Sequence, residues 1–255
     1  LLPPLGAREN ILKAIPECFD LMVKNNNFNT NTKIEYVDES LVEIFLNDLE
    51  ENVDIFDIFE DYVVERVLVD YIYECTDLIE LKGNSFSTKR NEINKFRRIH
   101  SDHKLEILDV ERHADGILAL LNKWISDRMR YLPSDQTELF LDGIYSERSA
   151  VKRMLKLYNE LDLIGLVILS KERIIGFTVG EKINDTTASV IIEKTDFDIL
   201  GCAQYIFREF AKVLFERYKI LRINVGDDMG FENLKKVKMS YRPSLMIPKY
   251  VIYKR

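Results

Sequence analysis

Three runs decide the fold: LIGLVILS (163–170), RIIGFTVGEKI (173–183) and TASVIIEK (187–194). Each is apolar, β-branched and about one strand long, and polar turns around 171–173 and 184–186 separate them. Connections that short join antiparallel neighbours, so the runs predict a meander. Downstream, Ala203 to Tyr218 has helical periodicity. ILRINV (220–225) then reads as a strand, Phe231 to Lys238 as a short helix, and SLMIPKYVIYK (244–254) as a closing strand. Upstream, KLEILDV (104–110) alternates as a strand. Ile117, Leu120, Leu121, Trp124 and Ile125 recur at helical spacing between His113 and Arg128. After a polar loop around Pro133, a second helix from Glu147 to Leu161 carries Val151, Met154, Leu155 and Tyr158 on one face.

The resulting order, β-α-α-β-β-β-α-β-α-β, resembles the GNAT acyltransferase fold. The first hundred residues repeat the tail of that order. A helix from Ala7 to Lys24, bent near Pro16, precedes the strand KIEYV (33–37), a helix from Glu39 to Leu49 and the strand VLVDYIYE (67–74). The expected architecture is therefore α+β, with two GNAT-like units, each a mixed and mostly antiparallel sheet flanked by helices. Residues 1–103 form the closing part of a truncated, degenerate first unit plus a basic helix, and residues 104–255 form a complete second unit.

Composition narrows the function classes. The 255 residues are 46% hydrophobic, enough for a real core, while 10 Gly and 6 Pro exclude collagen-like or linker-dominated chains. No apolar run approaches the ~18–20 residues of a membrane span, and LLPPLG lacks the features of a secretory signal. Cys18, Cys75 and Cys202 have no C-x-x-C spacing, which points to buried thiols in a reducing, cytoplasmic compartment. The net charge of -7 hides an asymmetry: Glu35 to Glu80 holds sixteen acids and one base, whereas Lys82 to Lys104 holds seven bases and two acids. Overall acidity argues against a nucleic-acid-coating protein, but a local basic segment suits one anion or a phosphate backbone.

Four segments carry candidate chemistry. In LKGNSFSTKRNEINKF (81–96), Ser85 or Ser87 can cap a helix, placing Lys89, Arg90 and Asn91 in its first turns with Asn94 one turn on. With Lys82, these groups suit a phosphate or carboxylate, or simply form a solvated helix face. In SVIIEKTDFDILG (189–201), Glu193 is placed as a general base and Lys194 as a cation for a developing oxyanion, at the end of the meander's last strand. In the GNAT fold, the turn after that strand binds an acyl-donor pyrophosphate. Gly201 and Ala203 fit its signature, but Asp198 stands where a basic residue or Gln belongs. In NVGDDMGFENLKKVKMSYRP (224–243), Asp228 caps a helix or meets substrate, Lys238 and Tyr241 are three apart, and Tyr241 is a candidate general acid. His100, His103 and His113 lack a metal-binding pattern and no metal is expected; no Walker-type loop, G-x-S-x-G or EF-hand pattern occurs.

Taken in order, LKGNSFSTKRNEINKF, FTVGEKI, IIEKTD, GCAQYIFREFA and DDMGFENLKKVKMSYRP resemble the phosphatidylglycerol lysyltransferase C-terminal family. The resemblance implies two tandem GNAT-like units. It also implies transfer of an aminoacyl group from aminoacyl-tRNA to a phospholipid or other acceptor, with no bound cofactor and at most peripheral membrane contact. Lys89, Arg90 and Asn91, and the run from Lys238 to Pro243, are its most specific motifs. Ile191, where the family often has His, and Gly226, where it tends to have an acid, depart from it. An acyl-CoA-dependent N-acyltransferase acting on a small amine and a non-catalytic binding protein are the alternatives.

Overall fold

In the computed structural model, residues 1–26, 32–45, 55–58, 61–130 and 137–254 are described. The chain runs α1 (Arg8–Asn25), β1 (Lys33–Val37), α2 (Glu39–Phe45), β2 (Ile55–Ile58), β3 (Tyr62–Glu74), α3 (Cys75–Glu80), a 3-10 turn (Asn84–Phe86), α4 (Ser87–Ile99) and β4 (Lys104–Ile107). It continues through α5 (Val110–Met129), α6 (Thr137–Lys156), β5 (Ile164–Ser170), β6 (Arg173–Lys182), β7 (Thr187–Thr195), α7 (Cys202–Tyr218), β8 (Arg222–Asn224), α8 (Glu232–Met239) and β9 (Leu245–Lys254). The meander and the helix–strand order around it are as the sequence predicts.

The first of two compact units comprises Leu1–Ile72, Gly226–Met239 and Pro243–Arg255. Its sheet has β9 between β1 and β3, antiparallel to both, with Ile252 opposite Ile34 on one side and Val64 on the other. β2 pairs with β3. Ile11, Ile15 and Phe19 of α1 and Leu41 and Val42 of α2 pack on this sheet against Ile34, Val64 and Ile252. That core needs the C-terminal strand, so the compact division does not coincide with the sequence boundary at 103/104. α1 continues through Pro16 as one helix. The expected helix from Glu39 to Leu49 is described only as far as Phe45; the rest, like the loop around Pro133, lies outside the described residues.

The second unit comprises Tyr73–Val225 and Ser240–Arg242. β4, β5, β6 and β7 are antiparallel in order, and β8 joins β7 in parallel, Ala188 opposite Ile223. A parallel step needs a crossover, and α7 supplies it. Strand alternation sorts the two faces. Phe177 and Val179 of β6 share a core with Ile117 and Leu121 of α5 and Val151 and Leu155 of α6. α7 packs on the opposite face, through buried residues such as Ile206, Phe210 and Leu214. Among the described residues, no helix is long and apolar enough to cross a membrane.

Candidate active site

β7 carries the first candidate group. Glu193 lies opposite Thr178 in the β6–β7 register, on the face that α7 covers. Its Oε2 is sealed from solvent and has no hydrogen-bond partner among the described residues. Burial therefore pushes the carboxyl up to about 8, and Thr178 offsets this only in part. Tyr241, in the Ser240–Arg242 segment of the same unit, packs edge-on against Phe207 at 5.2 Å between ring centroids and lies 6.1 Å from Tyr73. Burial, then the charges of Glu193 and Glu92, raise its phenol above the ordinary range. The structure thus brings Glu193 and Tyr241 into one electrostatic neighbourhood: a carboxyl poised near neutral pH and a phenol that keeps its proton.

α4 borders this centre. Lys89 Nζ lies 3.8 Å from the centroid of the Tyr241 ring and donates to Ser240 Oγ at 2.7 Å. Burial lowers its amine, with Glu92 pulling the other way. Arg90 turns to the chain before α4, donating to the carbonyls of Leu81 and of Gly83, the latter at 2.7 Å. Lys82 is exposed beside Glu80 at 2.7 Å. Asn91 and Asn94 are exposed on α4. Of the expected anion-binding set, Lys89 and Arg90 therefore have protein partners, while Asn91 and Asn94 face solvent. Gly201 caps α7 with φ 84°, against the α4 backbone at Glu92.

Lys194 points the other way. It pairs with Glu147 of α6 at 2.8 Å and lies 3.9 Å over the Trp124 ring of α5. Asp228 and Lys238 belong to the first unit and meet at Tyr71. The Tyr71 hydroxyl donates to Asp228 Oδ2 at 2.5 Å, and Lys238 Nζ stands 5.6 Å over the Tyr71 ring. Burial and this acceptor push the Tyr71 phenol up to about 12. Asp228 also caps the turn, accepting from the Gly230 N–H at 3.0 Å, while Lys238 donates to the carbonyls of Gly226 and Asp227.

The charge cluster around Lys123 was not anticipated. Its ammonium donates to Asp127, Asp196 and Asp198 at 2.6, 2.8 and 2.9 Å. Carboxylate oxygens of Asp127, Asp196 and Asp198 lie within 4.8 Å of one another, and the Lys123 ammonium is bound to all three side chains. The misfit of Asp198 to an acyl-donor turn was the available signal; its partner, 75 residues away, was not legible. Cys75 and Cys202 are buried and Cys18 is half-buried, and burial raises all three thiols, that of Cys75 to about 12, which disfavours the thiolate form a nucleophile needs. The ring nitrogens of His103 lie 2.6 Å from the His100 carbonyl and 3.1 Å from the Tyr205 hydroxyl.

A family model described as phosphatidylglycerol lysyltransferase, C-terminal, matches residues 1–253. An uncharacterized protein of Mycoplasmoides gallisepticum is 28% identical over 191 residues; the match takes in 74% of this chain and 58% of that protein. A conserved protein of unknown function from Bacteroides thetaiotaomicron, of known structure, is 30% identical, with a TM-score of 0.75 and coverage of 96% of this chain and 76% of that one. L-PGS from Bacillus licheniformis shares the fold at 13% identity and a TM-score of 0.63, covering 99% and 76%. A tandem GNAT protein from the clavulanic acid pathway shares it at 7% identity and 0.51, covering 98% and 71%.

Proposed function

Because the chain belongs to the phosphatidylglycerol lysyltransferase C-terminal family, we propose that it transfers an aminoacyl group from aminoacyl-tRNA to a phospholipid or another hydroxyl-bearing acceptor. One observation supports the chemistry: burial pushes the Glu193 carboxyl up to about 8, and its charge is among the causes that keep the Tyr241 phenol protonated.

Transesterification needs a base and an acid and no metal. The acceptor oxygen attacks the ester carbonyl carbon, and ionised Glu193 takes the acceptor's proton. The bond from that carbon to the tRNA ribose oxygen breaks, and Tyr241 gives its proton to the leaving oxygen. Return of the proton from Glu193 to Tyr241 closes the cycle. Lys89 stabilises the negative charge on Tyr241 in between, its ammonium lying over the ring. Lys194 takes no step, because it is engaged on the opposite face of β7. The exposed α4 side chains Asn91, Asn94, Lys95 and Arg98 are the groups for the tRNA phosphates. Asp228 and Lys238 supply a substrate contact within the first unit, and Lys82 adds charge near α4.

Acyl-CoA is disfavoured as donor, because the acid at Asp198 remains at the turn before α7, paired with Lys123. Thermal shift of the full chain with a non-hydrolysable aminoacyl-tRNA mimic and with acetyl-CoA separates the two. Stabilisation by the mimic that fades with salt is expected. Stabilisation by acetyl-CoA alone overturns the assignment.

A further inference from the structure

We propose that the short helix α8 and the turn before it form a docking surface for an anionic phospholipid bilayer. The proposal does not rest on the transferase reading, because this surface belongs to the first unit and Glu193 and Tyr241 to the second. Helix α8 has no buried residue. Met229 and Phe231 in the turn are 69% and 58% exposed, and Val237 and Met239 of the helix stand out in the same way, at 55% and 43%. The Lys235 N–H donates to the Phe231 carbonyl at 2.9 Å, so helical geometry already begins at Phe231. Phe231, Lys235 and Met239, four residues apart, therefore share one row.

Met246 extends the apolar surface beyond the helix. It is exposed and lies opposite Tyr71 in the β3–β9 register, on the sheet face where Lys238 Nζ stands 5.6 Å from the Tyr71 ring centre. The local charge is complementary to an anionic surface. The chain as a whole carries -7, yet α8 holds three lysines and one acid, Glu232. Lys238 is engaged with the carbonyls of Gly226 and Asp227. Lys235 and Lys236 are exposed and form no ion pair among the described residues. Phe and Met side chains enter the boundary between headgroups and acyl chains, while lysines beside them meet the lipid phosphates. The apolar groups leave separately from a turn, a helix and a strand, and a fluid interface shapes itself around them without a matching surface. Nucleic acid would account for the lysines but not for these apolar side chains. A twofold dimer through the patch would set Lys235 and Lys236 against their own copies, which repel.

The test sediments the full chain with vesicles of phosphatidylserine mixed with phosphatidylcholine, and with vesicles of phosphatidylcholine alone. The phosphatidylserine headgroup has no free hydroxyl, so binding reports the docking surface and not an acceptor of the transfer reaction. Binding to the anionic vesicles that weakens with salt is expected. Lys235→Gln combined with Lys236→Gln is expected to weaken it about thirtyfold. Phe231→Ser combined with Met239→Ser is expected to weaken it about tenfold or more. All four positions are exposed, so Tm should be unchanged in both variants. No binding to the anionic vesicles, equal binding to the neutral ones, or full binding by either variant overturns the proposal. A dimer or a complex with tRNA that forms in place of vesicle binding, and that both variants abolish, overturns it too, because the patch then belongs to that partner.

Discussion

A Cβ atom on Gly201 would stand 2.2 Å from the Glu92 carbonyl oxygen, a separation that no side chain tolerates. The glycine before α7 is therefore a packing device that lets α4 lie against the start of α7. Its φ of 84° adds a second requirement for glycine.

Gly201→Ala is thus expected to destabilise the fold strongly, by roughly 2–4 kcal/mol, since both contact and backbone conformation are violated. Gly83 is the control. Its φ is 85°, but nothing lies within 4 Å of an added Cβ. With ψ at 172°, Gly83 occupies a backbone region essentially confined to glycine, so Gly83→Ala should cost on the order of 1–3 kcal/mol, all of it backbone conformation, and less than Gly201→Ala. Urea denaturation of both variants checks the difference.

Glu193 links stability to pH. It ionises near 4.5 in an unfolded chain and near 8 in the folded one. The folded form binds the proton more tightly, so this contribution is fully present below the unfolded value and is lost as pH rises through about 8. Glu193→Gln removes the dependence. Wild type and variant should be close in stability at pH 4.5, and the variant should be more stable by roughly 2 kcal/mol or more at pH 8.5. Denaturant midpoints across that range measure the gap.

Arg90 holds the chain before α4 through the carbonyls of Leu81 and Gly83. Arg90→Ala should therefore cost about 1.5–3 kcal/mol of stability, while leaving the affinity for inorganic phosphate unchanged. Paired unfolding and phosphate-binding measurements test this. A loss of phosphate binding with no loss of stability would return Arg90 to the anion site.

Lys123 offsets the burial of Asp196, whose side chain is 1% exposed. Burial alone would raise that carboxyl, but Lys123, the Asp198 N–H and Arg173 together hold it below its ordinary value. Its stabilisation is present above the unfolded carboxylate range and is lost as pH falls through the depressed folded value. Lys123→Met should destabilise by roughly 3 kcal/mol near pH 7, and the difference should shrink in acid. Thermal melts from pH 3 to pH 7 follow it.

Local patterns carried most of the fold. The meander, α5 and α7 are long and periodic enough to read directly. α3 has six residues, from Cys75 to Glu80, too short for a periodic signal, and the 3-10 turn is shorter still. The compact division was not legible, because it depends on β9 pairing with β1 and β3 about 170 to 220 residues earlier in the chain. The same limit applies to the site. Consecutive residues looked like one pair in Glu193-Lys194, yet strand alternation sends them to opposite faces. The grouping of Lys89 with Tyr241 and of Asp228 with Tyr71 depends on chain separations of 152 and 157 residues, which no spacing rule reads.

The most direct test is transfer itself. The full chain would be supplied with tRNA charged with radiolabelled amino acids and with vesicles containing phosphatidylglycerol. Label appearing in the lipid fraction, rising in rate with pH toward about 8 and lost in Glu193→Gln and Tyr241→Phe but retained in Lys194→Met, is the expected result. Transfer that persists undiminished in both Glu193→Gln and Tyr241→Phe would contradict the central claim that these two residues move the protons.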